Sequence, residues 1–333
     1  MGGIADSVLN RDSTIESKTM NSGSVLVTGA NGLIGFEVVK RLAADGKSVV
    51  ALDRVIDEAA TVAANAFAIE IGDVHKLHEI AAKFDVGAIV HCGGVSGPML
   101  SRDNPAHIFR VNVGGTVDMA ELARQVASRR GSCRLVFCSS LTVYGDQPND
   151  DITEDYPLLA RGCYPASKIA GEAVVRAYAE EHGVDAIVLR IAGVYGPRRK
   201  TQCILRAMIV DALEKRPSRF AFGKGFPRQF VHVDDVVSGI CLALNAKAAK
   251  TRVYNLSAGV NPTLDEAAAI IRAFLPEADI ELQPGPDPED VTLGLLSIEA
   301  ARRDLNYSPS VALRQGVEHL IESIKQERRA SAA

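Results

Sequence analysis

The chain has 333 residues, 47% of them apolar, and a formal net charge of −4. This length suits one large α/β domain or a domain with an added lobe, and the charge excludes a general basic surface for nucleic acid or anionic membranes. No apolar run approaches the roughly 18–20 residues of a membrane-spanning helix, and the six cysteines show no paired spacing, so we expect a cytoplasmic protein with reduced thiols.

Polar residues without periodicity occupy positions 1–22. We interpret this segment as a disordered tail, or as an added leader before an internal start at Met20. From residue 23 onward, short apolar runs alternate with helical patterns. We predict strands at 25–28, 48–52, 66–71, 88–92, 134–139 and 186–191, and helices at 33–44, 74–84, 108–130 and 165–182. This alternation is typical of a parallel, doubly wound α/β sheet of the Rossmann type over residues 23–192.

Glycines, prolines and short apolar runs break up this pattern after residue 192. We predict a small mixed α/β lobe over 193–325, the candidate substrate lobe, and a tail at 326–333 that begins as a frayed helix. Two strand-like pieces, 230–233 and 253–256, are expected to return to the main sheet. A helix at 263–274 is predicted to begin with a capping box formed by Thr263 and Glu266.

A glycine turn, Gly29-x-x-Gly32-x-x-Gly35, follows the first strand and opens the first helix. Glycines there let the backbone approach a pyrophosphate, and the free N–H groups of the helix N-terminus bind its charge. Asp53 ends the second strand, where a carboxylate bonds the ribose hydroxyls and repels a 2′-phosphate, which favours NAD over NADP. The alternative is a glycine-rich turn without a ligand. The predicted cofactor-binding residues are Gly29, Asn31, Gly32, Leu33, Ile34, Gly35, Asp53, Arg54, Asp73, Val74, Cys92, Gly93, Gly94, Asn112, Tyr164 and Lys168.

Tyr164 and Lys168 lie four residues apart on one predicted helix face, downstream of a strand that ends near Ser140. A phenol is a weak acid, so a tyrosine that acts as a base needs positive charge nearby, which Lys168 and the nicotinamide can supply. The Ser140 hydroxyl can bond the reacting oxygen. We therefore predict hydride transfer between NAD and a carbon that bears a hydroxyl, with these three residues as the catalytic set. The alternative for the Tyr-Lys pair is a solvated helix face.

Besides Asp53, seven further sequence segments form a pattern of motifs along the chain. Its segments are TGANGLIG (28–35), GDV (72–74), VNVGGT (111–116), SSLTVYG (139–145), YPASK (164–168), LRIAGVYGP (189–197) and RQFVHVDD (228–235). Over roughly residues 23–325 the chain thereby resembles the extended short-chain dehydrogenase/reductases, the NAD-dependent epimerase/dehydratase group. The resemblance implies that Ser140, Tyr164 and Lys168 form a catalytic triad and that Lys168 holds the nicotinamide ribose. It also implies a homodimer, in which helices near 112–130 and 164–182 form a four-helix bundle.

Two departures from that group narrow the reaction. Members that dehydrate nucleotide sugars carry an acidic pair right after the catalytic hydroxyl residue, whereas this chain has Leu141 and Thr142, which argues against dehydration. Many nucleotide-sugar members carry Asn at the position of Gly193, which argues against a UDP-sugar substrate.

Basic residues concentrate in segment 198–228, which holds nine Lys or Arg and only Asp211 and Glu214 as acids. This excess predicts an anionic, sugar-like substrate. The resemblance places Arg228 at the substrate phosphate; the alternative for each basic residue is a solvated surface. The basic candidates are Arg198, Arg199, Lys200, Arg206 and Arg228. The predicted substrate-binding residues are Ser96, Ser140, Thr142, Gly193, Arg198 and Arg228.

Two of these assignments have an equal structural alternative: Ser96 can bond its own turn, and Asn112 can anchor a helix instead of binding cofactor. His75 and His78 share a helix face, but no third ligand accompanies them, so no metal site is predicted.

Three functions remain open. In the first, which we favour, an oxidoreductase oxidises a secondary or anomeric hydroxyl of an anionic sugar or sugar derivative and releases NADH. In the second, an epimerase retains its NAD, and the hydride returns to the opposite face of the ketone. In the third, the chain binds NAD without catalysis, which the complete set Ser140, Tyr164 and Lys168 argues against.

Overall fold

The computed structural model describes residues 23–96, 103–148, 151–199, 201–247, 252–288 and 290–332. The predicted tail at 1–22 lies outside these residues. The strands are β1 (Ser24–Thr28), β2 (Val49–Asp53), β3 (Asn65–Ala68), β4 (Val86–His91), β5 (Arg134–Ser140), β6 (Asp185–Ile191), β7 (Gly193–Tyr195), β8 (Ser218–Lys224), β9 (Phe230–His232), β10 (Val253–Leu256) and β11 (Ile280–Pro284). The helices are α1 (Leu33–Ala44), α2 (Val74–Lys83), α3 (Pro105–Phe109), α4 (Gly115–Arg130), α5 (Cys163–His182), α6 (Ile204–Leu213), α7 (Val233–Asn245), α8 (Leu264–Phe274), α9 (Glu299–Leu305) and α10 (Leu313–Ala332).

Seven parallel strands form the central sheet, in the order β3-β2-β1-β4-β5-β6-β10. Helices α1 and α7 cover one face, where Val38, Val39 and Ile240 are buried. Helices α2, α4 and α5 cover the other face, where Leu122 and Val175 are buried. Helices therefore cover both faces of the sheet, and the central strands β1, β4, β5 and β6 are buried almost throughout rather than in alternation. The predicted doubly wound α/β sheet is confirmed.

The second part of the chain is a mixed lobe with its own core, which α6, α8 and α10 form with the parallel pair β8 and β11. Helix α8 begins with the predicted capping box: the Thr263 hydroxyl accepts from the N–H of Glu266, and the Glu266 carboxylate accepts from the N–H of Thr263. This local signal was sufficient because both partners lie within one helical turn.

One sequence prediction for this part is wrong. The strand predicted at 230–233 does not return to the main sheet; β9 pairs with β7, and residues from Val233 onward turn into α7, which does return and packs on α1. The end of the chain, expected to be a frayed helix and tail, is helical to Ala332, and ion pairs from Glu327 to Arg206 and from Arg328 to Glu214 connect it to α6 and the residue after it. The strand predicted at 253–256 joins the sheet beside β6, as expected.

The predicted helix 108–130 is longer and less regular than its periodicity indicates. It begins at Pro105 and contains a π-helical turn at Arg110–Gly114 before α4. Such turns reorient side chains within an otherwise continuous helix. In the described part of the chain, no helix is both long and apolar enough to cross a bilayer.

A buried ion pair fastens α5 to the sheet. Both Arg190 on β6 and Glu172 on α5 are buried, and the Arg190 Nη2 donates to Glu172 Oε2 at 2.8 Å. The hydroxyl of Ser139 on β5 also donates to Glu172, at 2.5 Å. One carboxylate thus connects two strands to the helix that carries Tyr164 and Lys168.

Removing the charge of Glu172 should therefore destabilise the protein. We expect Glu172→Gln to lower the free energy of unfolding by about 3–5 kcal/mol, because it removes the carboxylate that forms the ion pair with the buried Arg190 guanidinium. Denaturant titration followed by circular dichroism measures this difference. The matched control is Glu299→Gln in the exposed pair with Arg302, which should cost less than about 1 kcal/mol. Equal effects of the two variants would contradict the interpretation.

Candidate active site

A cavity of about 780 Å³ opens at the carboxyl ends of β1, β2, β4 and β5 and extends to the lobe. Parallel strands all present their carboxyl ends at the same edge, which is where open α/β sheets bind ligands. The cavity is lined by the glycine turn, by Asp53, by Ser140, Tyr164 and Lys168, and by the segment around Gly193 and Arg228.

The turn between β1 and α1 leaves no space for a side chain at Gly29 or Gly35. A Cβ atom on Gly35 would lie 2.0 Å from the carbonyl oxygen of Gly29, and one on Gly29 would lie 2.9 Å from Gly93. Gly29 also has a φ of +69°, which glycine adopts without strain. The backbone N–H groups at the start of α1 consequently face the cavity at close range, which is the arrangement that binds a pyrophosphate.

Asp53 is the last residue of β2 and faces the same cavity. Its Oδ2 accepts from the N–H of Asn31 at 2.9 Å, and its Oδ1 accepts from the N–H of Arg54 at 2.7 Å. These bonds fix the carboxylate beside the glycine turn and still leave lone pairs for ribose hydroxyls. Together with the glycine turn, this geometry fits NAD.

Lys168 is held in a defined position by the backbone of β5. Its ammonium donates to the carbonyl of Cys138 at 2.9 Å and lies 5.1 Å from the ring centre of Phe137 and 5.9 Å from that of Tyr164. Helix α5 approaches β5 this closely because residue 171 is glycine; a Cβ there would lie 2.7 Å from the Phe137 ring. The fold thus positions the Lys168 cation beside the Tyr164 phenol.

Ser140 ends β5, directly opposite α5 in the cavity wall. Its Oγ accepts from the hydroxyl of Thr142 at 3.0 Å and from the N–H of Thr142 at 3.3 Å. Because both bonds use the lone pairs of Ser140, its own proton is available for the oxygen of a substrate. The structure therefore brings Ser140, Tyr164 and Lys168 to one cavity.

A buried histidine supports the next turn and was not assigned from the sequence. The Nδ1 of His91 lies 2.7 Å from the hydroxyl oxygen of Thr28, and the same oxygen accepts from the N–H of Gly93 at 3.0 Å. Burial, with a contribution from Lys168, lowers the pKa of His91 to about 3, so this histidine is neutral. Its contact fixes the Gly93–Gly94 turn against the glycine turn. The sequence signal was a polar residue within an otherwise apolar strand.

Two residues predicted to bind the cofactor lie outside the cavity lining. Val74 opens α2 with its side chain exposed. Asn112 is buried in the π-helical turn, where its amide bonds both backbone groups of Val95 and the hydroxyl of Ser167. Its amide thus anchors the 94–96 turn to α5, which was the structural alternative. The cofactor candidates that do line the cavity are Gly29, Asn31, Gly32, Leu33, Ile34, Gly35, Asp53, Arg54, Asp73, Cys92, Gly93, Gly94, Tyr164 and Lys168.

All six predicted substrate residues line the cavity: Ser96, Ser140, Thr142, Gly193, Arg198 and Arg228. Gly193 donates its N–H to the carbonyl of Gln229 at 2.9 Å, and a Cβ at 193 would lie 2.9 Å from that oxygen. The β7–β9 pairing therefore disfavours any side chain at this position.

The basic segment is largely paired. Arg198 forms an ion pair with Glu58 and stacks on Phe36, with its guanidinium 3.7 Å from the ring centre. Arg228 contacts Asp287 and Asp290. These partners are distant in sequence, which is why an excess of local charge could not reveal them.

Of the other basic candidates, Arg206 is not in the cavity lining. Arg206 pairs with Glu327 on α10, and Lys200 lies outside the described residues. Arg199 does line the cavity, and its guanidinium donates to neutral acceptors: the carbonyls of Val194 and Gln202 and the hydroxyl of Thr201. Among the described residues it has no carboxylate partner, so its charge remains available to a ligand. The part of the chain that the structure describes contains no group of three metal-ligating side chains.

Comparisons with known proteins agree with this geometry. The profile of the NAD dependent epimerase/dehydratase family matches residues 25–257. The UDP-glucose 4-epimerase of Mycolicibacterium smegmatis is 32% identical over 317 residues, which cover 91% of this chain and 98% of that protein. The crystal structure of UDP-glucose 4-epimerase from Thermotoga maritima superimposes with a TM-score of 0.83 at 24% identity, covering 92% of this chain and 99% of that one. The NAD complex of Thermus thermophilus UDP-glucose 4-epimerase gives 0.79 at 26% identity, covering 91% and 99%.

The contacts of Asp53 predict its contribution to cofactor choice. Asp53→Asn keeps an oxygen for the N–H of Asn31 but removes the charge that bonds ribose hydroxyls. We expect NAD affinity to fall roughly tenfold to a hundredfold, since hydrogen bonds to a charged group contribute about 1.5–3 kcal/mol, and the preference over NADP to narrow. Titration with NAD and NADP by calorimetry measures both. Asp57→Asn, in the exposed loop beyond β2, is the matched control. An unchanged preference in Asp53→Asn would mean that Asp53 does not contact the ribose.

Proposed function

Because the chain belongs to the NAD dependent epimerase/dehydratase family, we propose that it is an NAD-dependent sugar epimerase with Tyr164 as its base. The observation that carries the proposal is the convergence of Ser140, Tyr164 and Lys168 on the cavity that the glycine turn and Asp53 also line. The residues that would hold NAD are those of the glycine turn, Asp53 and Lys168. Bound NAD would supply the hydride acceptor for the carbon that bears the reacting hydroxyl and, in its reduced form, the donor for the return transfer.

The protein's own residues move the proton. In this proposal the Tyr164 phenolate takes the proton of the substrate hydroxyl, because the Lys168 ammonium stabilises the negative phenolate. Ser140 donates its hydroxyl proton to the same substrate oxygen and positions it. The bond from Lys168 to the carbonyl of Cys138 keeps the cation in place through both directions of transfer. No acid follows Ser140 in the wall of the cavity, so loss of a hydroxyl as water has no proton donor there.

Net epimerisation is favoured by the named relatives, which are UDP-glucose 4-epimerases. A second candidate, oxidation with release of NADH, is favoured by the substrate end of the cavity. An epimerase has to hold the ketone intermediate while its opposite face turns toward the cofactor. A substrate phosphate bound by Arg228 would help to hold it, but Asp287 and Asp290 already pair with Arg228 and weaken that binding. A sugar acid could instead place its carboxylate at Arg199.

We also propose the homodimer through α4 and α5 and the cytoplasmic location. The two helices pack side by side, and Val117 on α4 is partly exposed on their outer surface.

The catalytic proposal predicts the effect of removing one oxygen atom. Tyr164→Phe should lower kcat by about 10²–10⁴-fold, because it removes the group that transfers the proton. Affinity for NAD should stay within about twofold, since the ring and Lys168 remain. Steady-state kinetics and calorimetry measure the two quantities. Tyr156→Phe, at a residue outside the cavity lining, is the control. Full turnover by Tyr164→Phe would refute the assignment.

The fate of the cofactor separates the two candidate reactions. We expect the purified enzyme to retain NAD and to convert a sugar into its epimer without accumulation of NADH. Mass spectrometry of the extracted cofactor, absorbance at the NADH band and chromatography of the sugars measure these outcomes. Stoichiometric NADH with a sugar acid as substrate would instead establish the dehydrogenase.

A further inference from the structure

Arg228 donates to two carboxylates at once. Its Nη1 donates to Asp287 Oδ2 at 2.7 Å, and its Nε donates to Asp290 Oδ2 at 2.9 Å. The Asp287 side chain is 5% exposed, that of Asp290 18% and that of Arg228 22%. One guanidinium and two carboxylates give this acidic clamp, defined as Arg228, Asp287 and Asp290, a net charge of −1.

Backbone hydrogen bonds hold the residues of the acidic clamp in place. Asp287 and Asp290 occupy one turn, in which the N–H of Asp290 donates to the carbonyl of Asp287 at 3.2 Å. The chain after this turn is fixed by the N–H of Thr292, which donates to Asp146 Oδ1 at 2.9 Å. The N–H of Arg228 donates to the carbonyl of Pro262 at 2.8 Å. A ligand would have to displace internal carboxylates that two backbone segments hold in place.

The net negative charge of the acidic clamp disfavours binding of a phosphate group. Two of the three guanidinium nitrogens already donate to carboxylates, so bidentate binding of a phosphate competes with them. The carboxylates also repel the phosphate at short range, where the partial burial of the clamp strengthens the repulsion. Arg228 and Asp290 nevertheless line the cavity. They present a donor and an acceptor side by side, which matches two neighbouring hydroxyl groups.

We propose that the acidic clamp is a hydroxyl-binding subsite that excludes phosphate, so that the substrate is a sugar without a diphosphate group. The proposal rests on the proposed function, because it assigns the substrate class of the same cavity. It also assigns Asp287 as a specificity-determining residue, which acts by holding and neutralising Arg228. Asp287 and Arg228 lie 59 positions apart in the chain, so the fold and not the local sequence brings them together.

The test measures binding of UDP and uridine to the NAD-loaded enzyme by calorimetry, because these probes differ only in the diphosphate. The wild-type enzyme should bind UDP no more tightly than uridine. Asp287→Asn should bind UDP about tenfold more tightly than the wild type does, with uridine unchanged, since one repelling charge is removed. Asp290→Asn, at the more exposed carboxylate, should act in the same direction and serves if Asp287→Asn does not fold.

Two controls distinguish the clamp from a general change in charge. Asp279→Asn removes a carboxylate from the exposed pair with Arg219 and should leave UDP binding unchanged. Adding Arg228→Gln to Asp287→Asn should abolish the gain. Wild-type enzyme that binds UDP at least tenfold more tightly than uridine would overturn the proposal, and so would an Asp287→Asn variant that gains no affinity for UDP. Because binding needs no turnover, an inactive enzyme would refute the proposed function and leave this result standing.

Discussion

The contact between the Gly29 carbonyl and the backbone at Gly35 is the constraint on which the site depends. With no Cβ at either position, α1 begins directly against the end of β1, and its free N–H groups line the cavity. The same close packing recurs where Gly93 meets Thr28 and where Gly171 lets α5 approach Phe137. In each case the absence of a side chain brings backbone dipoles or a charged residue to the carboxyl edge of the sheet. The polar groups are therefore placed by close packing and not by flexible loops.

Local signals in the sequence were enough for the first part of the fold. The helix predicted at 33–44 has these boundaries in the structure, and the box of Thr263 and Glu266 opens α8, because the interacting groups are within one turn of each other. The alternation of strands and helices also placed Asp53, Ser140, Tyr164 and Lys168 at one edge, since parallel strands share a direction. For Asn112 the sequence left cofactor binding and anchoring both open; the residue lies in a π-helical turn, which periodicity does not indicate, and its amide bonds the backbone of Val95.

Long-range pairing accounts for the remaining errors. The run 230–233 has the apolar character of a strand, but nothing local indicates that it pairs with β7 and then becomes α7. Residues 326–332 continue α10 and form ion pairs with Arg206 and Glu214, more than 100 residues away. The excess of basic residues in 198–228 predicted an anionic substrate. Glu58, Asp287 and Asp290, from other parts of the chain, pair with Arg198 and Arg228, whereas Arg199 has no carboxylate partner among the described residues. Net charge within a segment is thus a weak guide to the potential inside a cavity.

The return of α7 to the face of α1 has a consequence for how the molecule folds. The boundary at residue 192 divides the chain by composition, but it does not yield an autonomous folding unit. A fragment that ends there would lack α7 and β10, and it would expose the apolar surface of α1 together with the open edge of β6. Arg134 on β5 donates to the carbonyls of Ala243 and Ala246 at the end of α7, so the same fragment would leave a buried guanidinium without two of its acceptors. Residues 23–192 and the lobe are therefore expected to unfold in one cooperative transition.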